Sequence, residues 1–224
     1  MEIVYQDKRI VVAVKPAGIL STDEPGGMPE ALRQALGCAC IRTVHRLDAQ
    51  TGGLMVFARS RAAAALLSQQ VRERQFRKEY LAAVHGTPQA PSGEMRDWLA
   101  RDSRRRITYV AQEPSAQAQE ARLDYRVMEE SGALSLVQIR LHTGRTHQIR
   151  VQFASRGMPL AGDRKYGLAG DTIAPLALWA CRLTFTHPES GRVMDFTHLP
   201  PPQEPWTRFD QAAMERQIKK GWQL

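Results

Sequence analysis

Asp48 is the residue of this 224-residue chain best placed for nucleophilic or acid-base chemistry. It follows His45, Arg46 and Leu47 and precedes Ala49-Gln50-Thr51-Gly52-Gly53, which opens onto the apolar run Leu54-Met55-Val56-Phe57-Ala58. Such a run must be buried to be stable, so the carboxylate is expected at the mouth of a buried strand, close enough to the interior for neighbours to tune its ionisation. Three further stretches concentrate chemistry: Arg77-Lys78-Glu79-Tyr80-Leu81, Leu141-His142-Thr143-Gly144-Arg145-Thr146-His147-Gln148-Ile149-Arg150-Val151, and Gly162-Asp163-Arg164-Lys165-Tyr166-Gly167.

His45, His142 and His147 lack any metal-binding spacing such as His-Glu-x-x-His, and imidazoles among many arginines make a poor cation site without carboxylates. No metal and no cofactor is expected, and these histidines are assigned to hydrogen bonding or phosphate contact. His45-Arg46-Leu47-Asp48 shares the residue order of a kinase catalytic loop, but the Gly-rich nucleotide loop and the Asp-Phe-Gly element are absent. A phosphotransferase is not expected.

The formal net charge of +8 and the sequence pI of about 9.8 attract a polyanion, with an affinity that falls with salt, and nucleic acid is the partner expected. Basic residues cluster at 72–78, 101–106 and 140–150, although each cluster taken alone also fits a solvated face. Cys38, Cys40 and Cys181 make neither a disulfide framework nor a zinc spacing, which suits a reducing compartment. No charged-then-apolar leader opens the chain, and no run nears the roughly eighteen apolar residues of a membrane span. A cytoplasmic protein without membrane association is expected, a monomer with a single catalytic domain over residues 1–224.

The elements that must position these groups follow from local pattern. Residues 3–6 and 10–14 read as an opening hairpin, which Lys15-Pro16-Ala17-Gly18 ends, and residues 29–36 as a short helix stopped by Gly37. Residues 53–58 form a buried strand, and 61–75 a helix capped by Ser60. Tyr80 lies in a strand reaching His85, residues 86–93 and 113–120 are loops, and 121–128 pairs with 133–141. At 146–153 periodicity is ambiguous: Ile149, Val151 and Phe153 alternate as in a strand, yet Thr146, Ile149 and Phe153 share a helical face. Strands at 176–186 and 193–197 and a basic helix over 205–220 complete the chain. Hairpins interleaved with helices, without regular alternation, predict an α+β fold with a mixed, mostly antiparallel central sheet flanked by helices and loops.

The stretch VHRLDAQTGGLMVFA resembles the signature of the RluA-type pseudouridine synthases, and the motifs around Tyr80, around Arg150 and at Gly162 to Gly167 are similar to the family's later motifs, in the family's order. The resemblance implies a pseudouridine synthase fold with a central catalytic cleft and decides for a helix at 146–153. It also implies the activity: isomerisation of a specific uridine in structured ribosomal or transfer RNA to its C-glycoside, without metal or cofactor; a stem-loop substrate is expected from the shortness of the chain. An RNA-binding or RNA-chaperone protein on the same fold is the alternative, which intact Asp48, Tyr80 and Arg150 disfavour.

Asp48 is then the catalytic residue, by addition to the base, by an ester at C1′ or by proton abstraction from the sugar. The resemblance gives Arg150 as its salt-bridge partner, Tyr80 as the ring that stacks on the flipped uracil, Ile149 as an apolar wall, and Arg46 as the cation that enters the space the base leaves, with a static phosphate contact as its alternative. His45, Arg145 and His147 join them as substrate-binding residues. The chain departs from the family at Gly52, where serine is usual, at Leu123, where threonine is common, and at Gln152, where a histidine often stands; Gln152 is expected to alter an RNA phosphate contact.

Overall fold

The computed structural model describes residues 1–222. In chain order its elements are β1 (Glu2–Gln6), β2 (Ile10–Lys15), α1 (Met28–Leu36), β3 (Arg42–Thr43), β4 (Gly52–Ala58), α2 (Arg61–Arg72), β5 (Arg77–His85), β6 (Ser92–Asp102), β7 (Ile107–Ala111), β8 (Gln119–Ser131) and β9 (Leu134–Leu141). α3 (Gln148–Ala154), β10 (Leu178–Thr186), β11 (Val193–Thr197) and α4 (Gln211–Lys220) follow. The fold is α+β, and the chain divides into two compact units, Met1–Lys78 with Trp179–Pro200, and Glu79–Leu178 with the segment from Pro201 onward.

In the first unit β1 and β2 form the expected hairpin, β2 pairs antiparallel with β4, and β4 runs parallel to β10, which pairs antiparallel with β11. Ile10 to Ala13 and Met55 to Ala58 are fully buried, so β2 and β4 are covered on both faces, as their unbroken apolar runs require. α2 packs on β4. Ser60 caps α2, its hydroxyl accepting from the Ala63 amide.

The helix expected over 61–75 stops at Arg72, because Arg74 turns left-handed at φ 58°. The Gln75 amide then reaches the Gln70 carbonyl at 2.9 Å and the Arg74 amide the Val71 carbonyl at 3.3 Å. Those two bonds are a Schellman closure, here built without the usual glycine.

The glycine pair at the head of β4 is dictated by β10. Gly52 lies opposite Trp179 and Gly53 opposite Ala180. A Cβ on Gly53 would stand 2.4 Å from the Ala180 carbonyl oxygen, and Gly53 already sits at φ +117°, where side chains are disfavoured. Gly53→Ala should therefore destabilise the protein by about 3 kcal/mol or more, read as a fall in the urea midpoint. At Gly52 a Cβ would meet the Trp179 ring at 2.4 Å, so serine at this position requires that ring to move.

The second unit holds a meander of antiparallel pairs, β5 with β9, β9 with β8, β8 with β6, and β6 with β7. The hairpin of β6 and β7 was not expected from sequence. The charges on β6 hide its pattern: of its residues only Met95, Leu99 and Ala100 are buried. α3 is a helix, and its Phe153 packs edge-on to Tyr125 of β8, with ring centroids 6.0 Å apart. The terminal helix expected over 205–220 is split into a 3-10 turn at Trp206–Arg208 and α4, whose N-cap Asp210 accepts from the Ala212 and Ala213 amides. Among the described residues no helix is long and apolar enough to cross a membrane.

Candidate active site

Asp48 lies in the loop between β3 and β4 and is half-buried. Its loop is fixed through consecutive carbonyls: that of Leu47 accepts from the Ser21 hydroxyl at 2.9 Å, that of Asp48 from the Thr51 amide at 3.0 Å, and that of Ala49 from the Gly18 amide at 2.8 Å. The Ala49 carbonyl also accepts from the Lys15 ammonium at 2.9 Å. Lys15 is wholly buried, and its Nζ donates in addition to the carbonyls of Pro16, at 2.9 Å, and Ile19, at 2.6 Å. Burial pulls its ammonium down to about 8, against the opposing pull of the Asp48 charge. In sequence the Lys15 segment marks the end of a hairpin, whereas in the fold the lysine ties β2 to the loop that presents Asp48.

Arg46 is exposed, on the same loop. His45 is buried, accepts from the Val56 amide at Nε2 at 3.2 Å, and packs on Phe76 with ring centroids 5.0 Å apart. Its Nδ1 is without a hydrogen-bond partner among the described residues. Burial, helped by the Lys78 charge, pushes His45 down to about 3, so the ring is neutral. The folded chain thus binds its proton more weakly than the unfolded chain does. The contribution of His45 to stability is complete above about pH 6.5 and is lost as pH falls toward about 3. Denaturant midpoints should drop more steeply across that window in the native chain than in a His45→Asn variant.

In the second unit Tyr80 lies on β5 opposite Ile139 and is 4% exposed. The segment before α3 is folded around Gln148, whose Oε1 accepts from the Thr143 hydroxyl at 2.8 Å and the Arg145 amide at 3.0 Å. Arg145 donates from Nε to the Glu120 carbonyl at 2.9 Å. His147 is the N-cap of α3 in a left-handed conformation, φ 56°, and its Nδ1 is 2.7 Å from the Tyr166 hydroxyl. Ile149 is buried in α3.

Arg150 makes a two-pronged ion pair with Asp163, Nε to Oδ2 and Nη2 to Oδ1, both at 2.7 Å. Its guanidinium lies 5.1 Å from the centre of the Tyr166 ring. The Asp163 side chain is fully buried, and Oδ1 also accepts from the Lys165 amide at 2.9 Å and the Tyr166 amide at 3.0 Å. Burial alone would raise Asp163, but Arg150 and the two amides outweigh it and hold the carboxyl below its usual range. Asp163 and Tyr166 were not among the site residues read from sequence, although their motif was noticed: nothing in a linear string says that Asp163 meets Arg150.

Gln152 corrects an expectation. It is wholly buried, donating to the Asp97 carboxylate at 2.6 Å and the Met95 carbonyl at 3.3 Å, so it fastens α3 to β6 and does not face RNA phosphate. The basic cluster at 140–150 is likewise largely engaged within the unit, since Arg140 pairs with Asp124 at 2.7 Å besides the bonds of Arg145 and Arg150. Arg101, Arg104, Arg105 and Arg106, around the turn from β6 to β7, are exposed. No group of three or more metal-ligating side chains occurs among the described residues.

Comparison with known proteins gives these placements a context. The dual-specificity RNA pseudouridine synthase RluA of Escherichia coli is 36% identical over 207 residues, covering 87% of this chain and 90% of that protein. An uncharacterised RNA pseudouridine synthase of Bacillus subtilis is 35% identical over 202 residues, and the ribosomal large subunit pseudouridine synthase D of Neisseria meningitidis 35% over 216. The chain spans 65% and 57% of the lengths of those two. In fold it is similar to human RNA Pseudouridylate Synthase Domain Containing 1, with a TM-score of 0.82 over 99% of this chain and 95% of that one at 22% identity. The family model described as RNA pseudouridylate synthase matches residues 9–155, the span that contains Asp48, Tyr80 and Arg150. This chain belongs to the RNA pseudouridylate synthase family.

Proposed function

We propose that the chain converts uridine to pseudouridine in structured RNA, ribosomal or transfer, with Asp48 as its catalytic carboxylate. The observation that carries this reading is the Asp48 loop, a half-buried carboxylate on a backbone pinned at Leu47, Asp48 and Ala49, with a buried ammonium at its back. A merely surface-exposed, loop-capping aspartate needs no such support. Family membership supports the reaction type.

The chemistry asks little beyond a positioned carboxylate. The N1–C1′ bond breaks, the uracil turns, C5 bonds to C1′, and the proton lost from C5 is balanced by one gained at N1, so the product is an isomer and no electrons are exchanged. Asp48 attacks or moves a proton through its carboxylate, and Arg150 is proposed to direct that carboxylate during turnover. A uridine within a stem is out of reach of a carboxylate until it is flipped, and Arg46, exposed beside Asp48 in sequence, is proposed to fill the gap it leaves. Tyr80 and Ile149 are proposed to hold the uracil, by stacking and by apolar contact. His45, Arg145 and His147 are proposed to support RNA binding around them.

Pseudouridine maps of total RNA from cells with and without the gene test the reading. A site that disappears with the gene, and returns when purified protein is added to that RNA, is expected. Maps that are identical, with RNA binding intact, would instead favour an RNA-binding protein without turnover.

A further inference from the structure

Tyr166 sits where three parts of the second unit meet, and none of the roles above uses it. Its amide donates to Asp163, its ring lies beneath the Arg150 guanidinium, and it packs on the cluster of Leu99, Ala121 and Val151. Its hydroxyl accepts from the Thr108 amide at 3.0 Å, on β7, the last strand of its meander. The same oxygen lies 2.7 Å from Nδ1 of His147.

These contacts constrain where the protons are. The Thr108 amide can only donate, so it takes one lone pair of the Tyr166 oxygen. If His147 Nδ1 also carried a proton, two donors would face that oxygen, and the hydroxyl proton would have no acceptor among the described residues. With the hydroxyl proton directed at Nδ1, the Tyr166 oxygen accepts from Thr108 and donates to His147. We propose that Tyr166 is a positioning residue for RNA binding, holding His147 as the neutral imidazole that carries its proton on Nε2.

The backbone agrees with a placed rather than an incidental histidine. His147 adopts φ +56°, a conformation that costs free energy in any residue with a Cβ. The second ring nitrogen of a functional imidazole commonly sets what the first one does, and here the partner on Nδ1 is a tyrosine itself held at its amide, its ring and its hydroxyl. His147 is thereby kept as a hydrogen-bond donor at Nε2, a form suited to an oxygen acceptor of RNA.

The structural half of this proposal stands by itself, and its binding half rests on the function proposed above. Nitrogen-15 spectra of the imidazoles in the native chain should show His147 protonated at Nε2 and bare at Nδ1. Tyr166→Phe, which keeps the ring under Arg150 and removes only the hydroxyl, should convert that signal to a mixture of tautomers. The same variant should weaken RNA affinity roughly 3- to 10-fold, the size of one lost hydrogen bond, with the single-turnover rate at saturating RNA within about twofold. In a His147→Ala background, removing the hydroxyl should change the affinity by no more than about 1.5-fold, because its effect runs through the imidazole. An Nδ1-protonated His147 in the native chain, a tautomer unmoved by Tyr166→Phe, or a full affinity loss that persists without His147 would each overturn the proposal. If the native chain forms no pseudouridine on any RNA, the function reading fails, while the spectra still decide the tautomer.

Discussion

Asp48→Asn is expected to abolish pseudouridine formation, lowering the single-turnover rate by roughly 10⁴-fold or more, the scale seen when a group that acts directly on the reacting atoms is removed. RNA affinity should stay the same or tighten, since a negative charge facing a polyanion disappears. The fold should persist: Asn is nearly isosteric, and the loop is held through the backbone carbonyls of Leu47, Asp48 and Ala49, not only through the side chain. Single-turnover rates, binding isotherms and denaturant midpoints separate these effects. A variant that turned over normally would remove Asp48 from the mechanism.

Arg150→Met is expected to damage both stability and catalysis. The guanidinium side chain is 8% exposed and the Asp163 side chain 0%, so the substitution strands a buried carboxylate with only the amides of Lys165 and Tyr166. Breaking a buried pair from one side costs about 3–5 kcal/mol, far above the value of an exposed pair, and should appear directly in the urea midpoint. The sign of the accompanying pH effect follows from Asp163. In the native chain its carboxyl is held below the ordinary value, so its contribution to stability is present above that value and is lost as pH falls through the lowered one. Without Arg150 the lowering shrinks, and the loss begins at higher pH.

The catalytic consequence of the same variant tests the proposed role toward Asp48. If Arg150 acts on that carboxylate, Arg150→Met should lower the single-turnover rate well beyond its effect on RNA affinity, and the salt slope of RNA binding should change by no more than about one unit. A normal single-turnover rate with a loss of affinity alone would make Arg150 a phosphate contact.

Much of this architecture was legible because it depends on local pattern. The double-sided burial of β4 follows from five consecutive apolar residues, the cap of α2 from Ser60, and the stop of α1 from Gly37, which is left-handed at φ 58°. Elements whose cause is tertiary were harder to read. Periodicity left Ile149, Val151 and Phe153 open between strand and helix, and the helix came from the family resemblance. The end of α2 was overshot because Arg74, a residue without glycine's freedom, takes the left-handed position. The hairpin of β6 and β7 went unseen because β6 carries arginines and acids on its exposed face, as with Arg96, which pairs with Glu120 of β8, while little of its inner face is apolar.

The candidate site divides in the same way. Asp48, Arg150 and Tyr80 were marked by motif, but the residues that hold their surroundings were not. Lys15 read as a turn residue, since a fully buried ammonium with three carbonyl acceptors becomes visible only when Pro16, Ile19 and Ala49 are folded together. Asp163 lies thirteen positions beyond Arg150, a separation no helix or strand period brings together. Gln152, named as a departure with consequences for RNA, turned out to be an internal fastening to Asp97.

Asp48-dependent bond exchange at C5 is tested most directly with RNA carrying tritium at C5 of its uridines. Because C5 loses its hydrogen when it bonds to C1′, the native protein should release tritium to water in proportion to the pseudouridine formed, on RNA from cells that lack the gene, and Asp48→Asn should release none. Release by Asp48→Asn at the native rate, or no release by the native protein on RNA whose pseudouridine site depends on the gene, would contradict it.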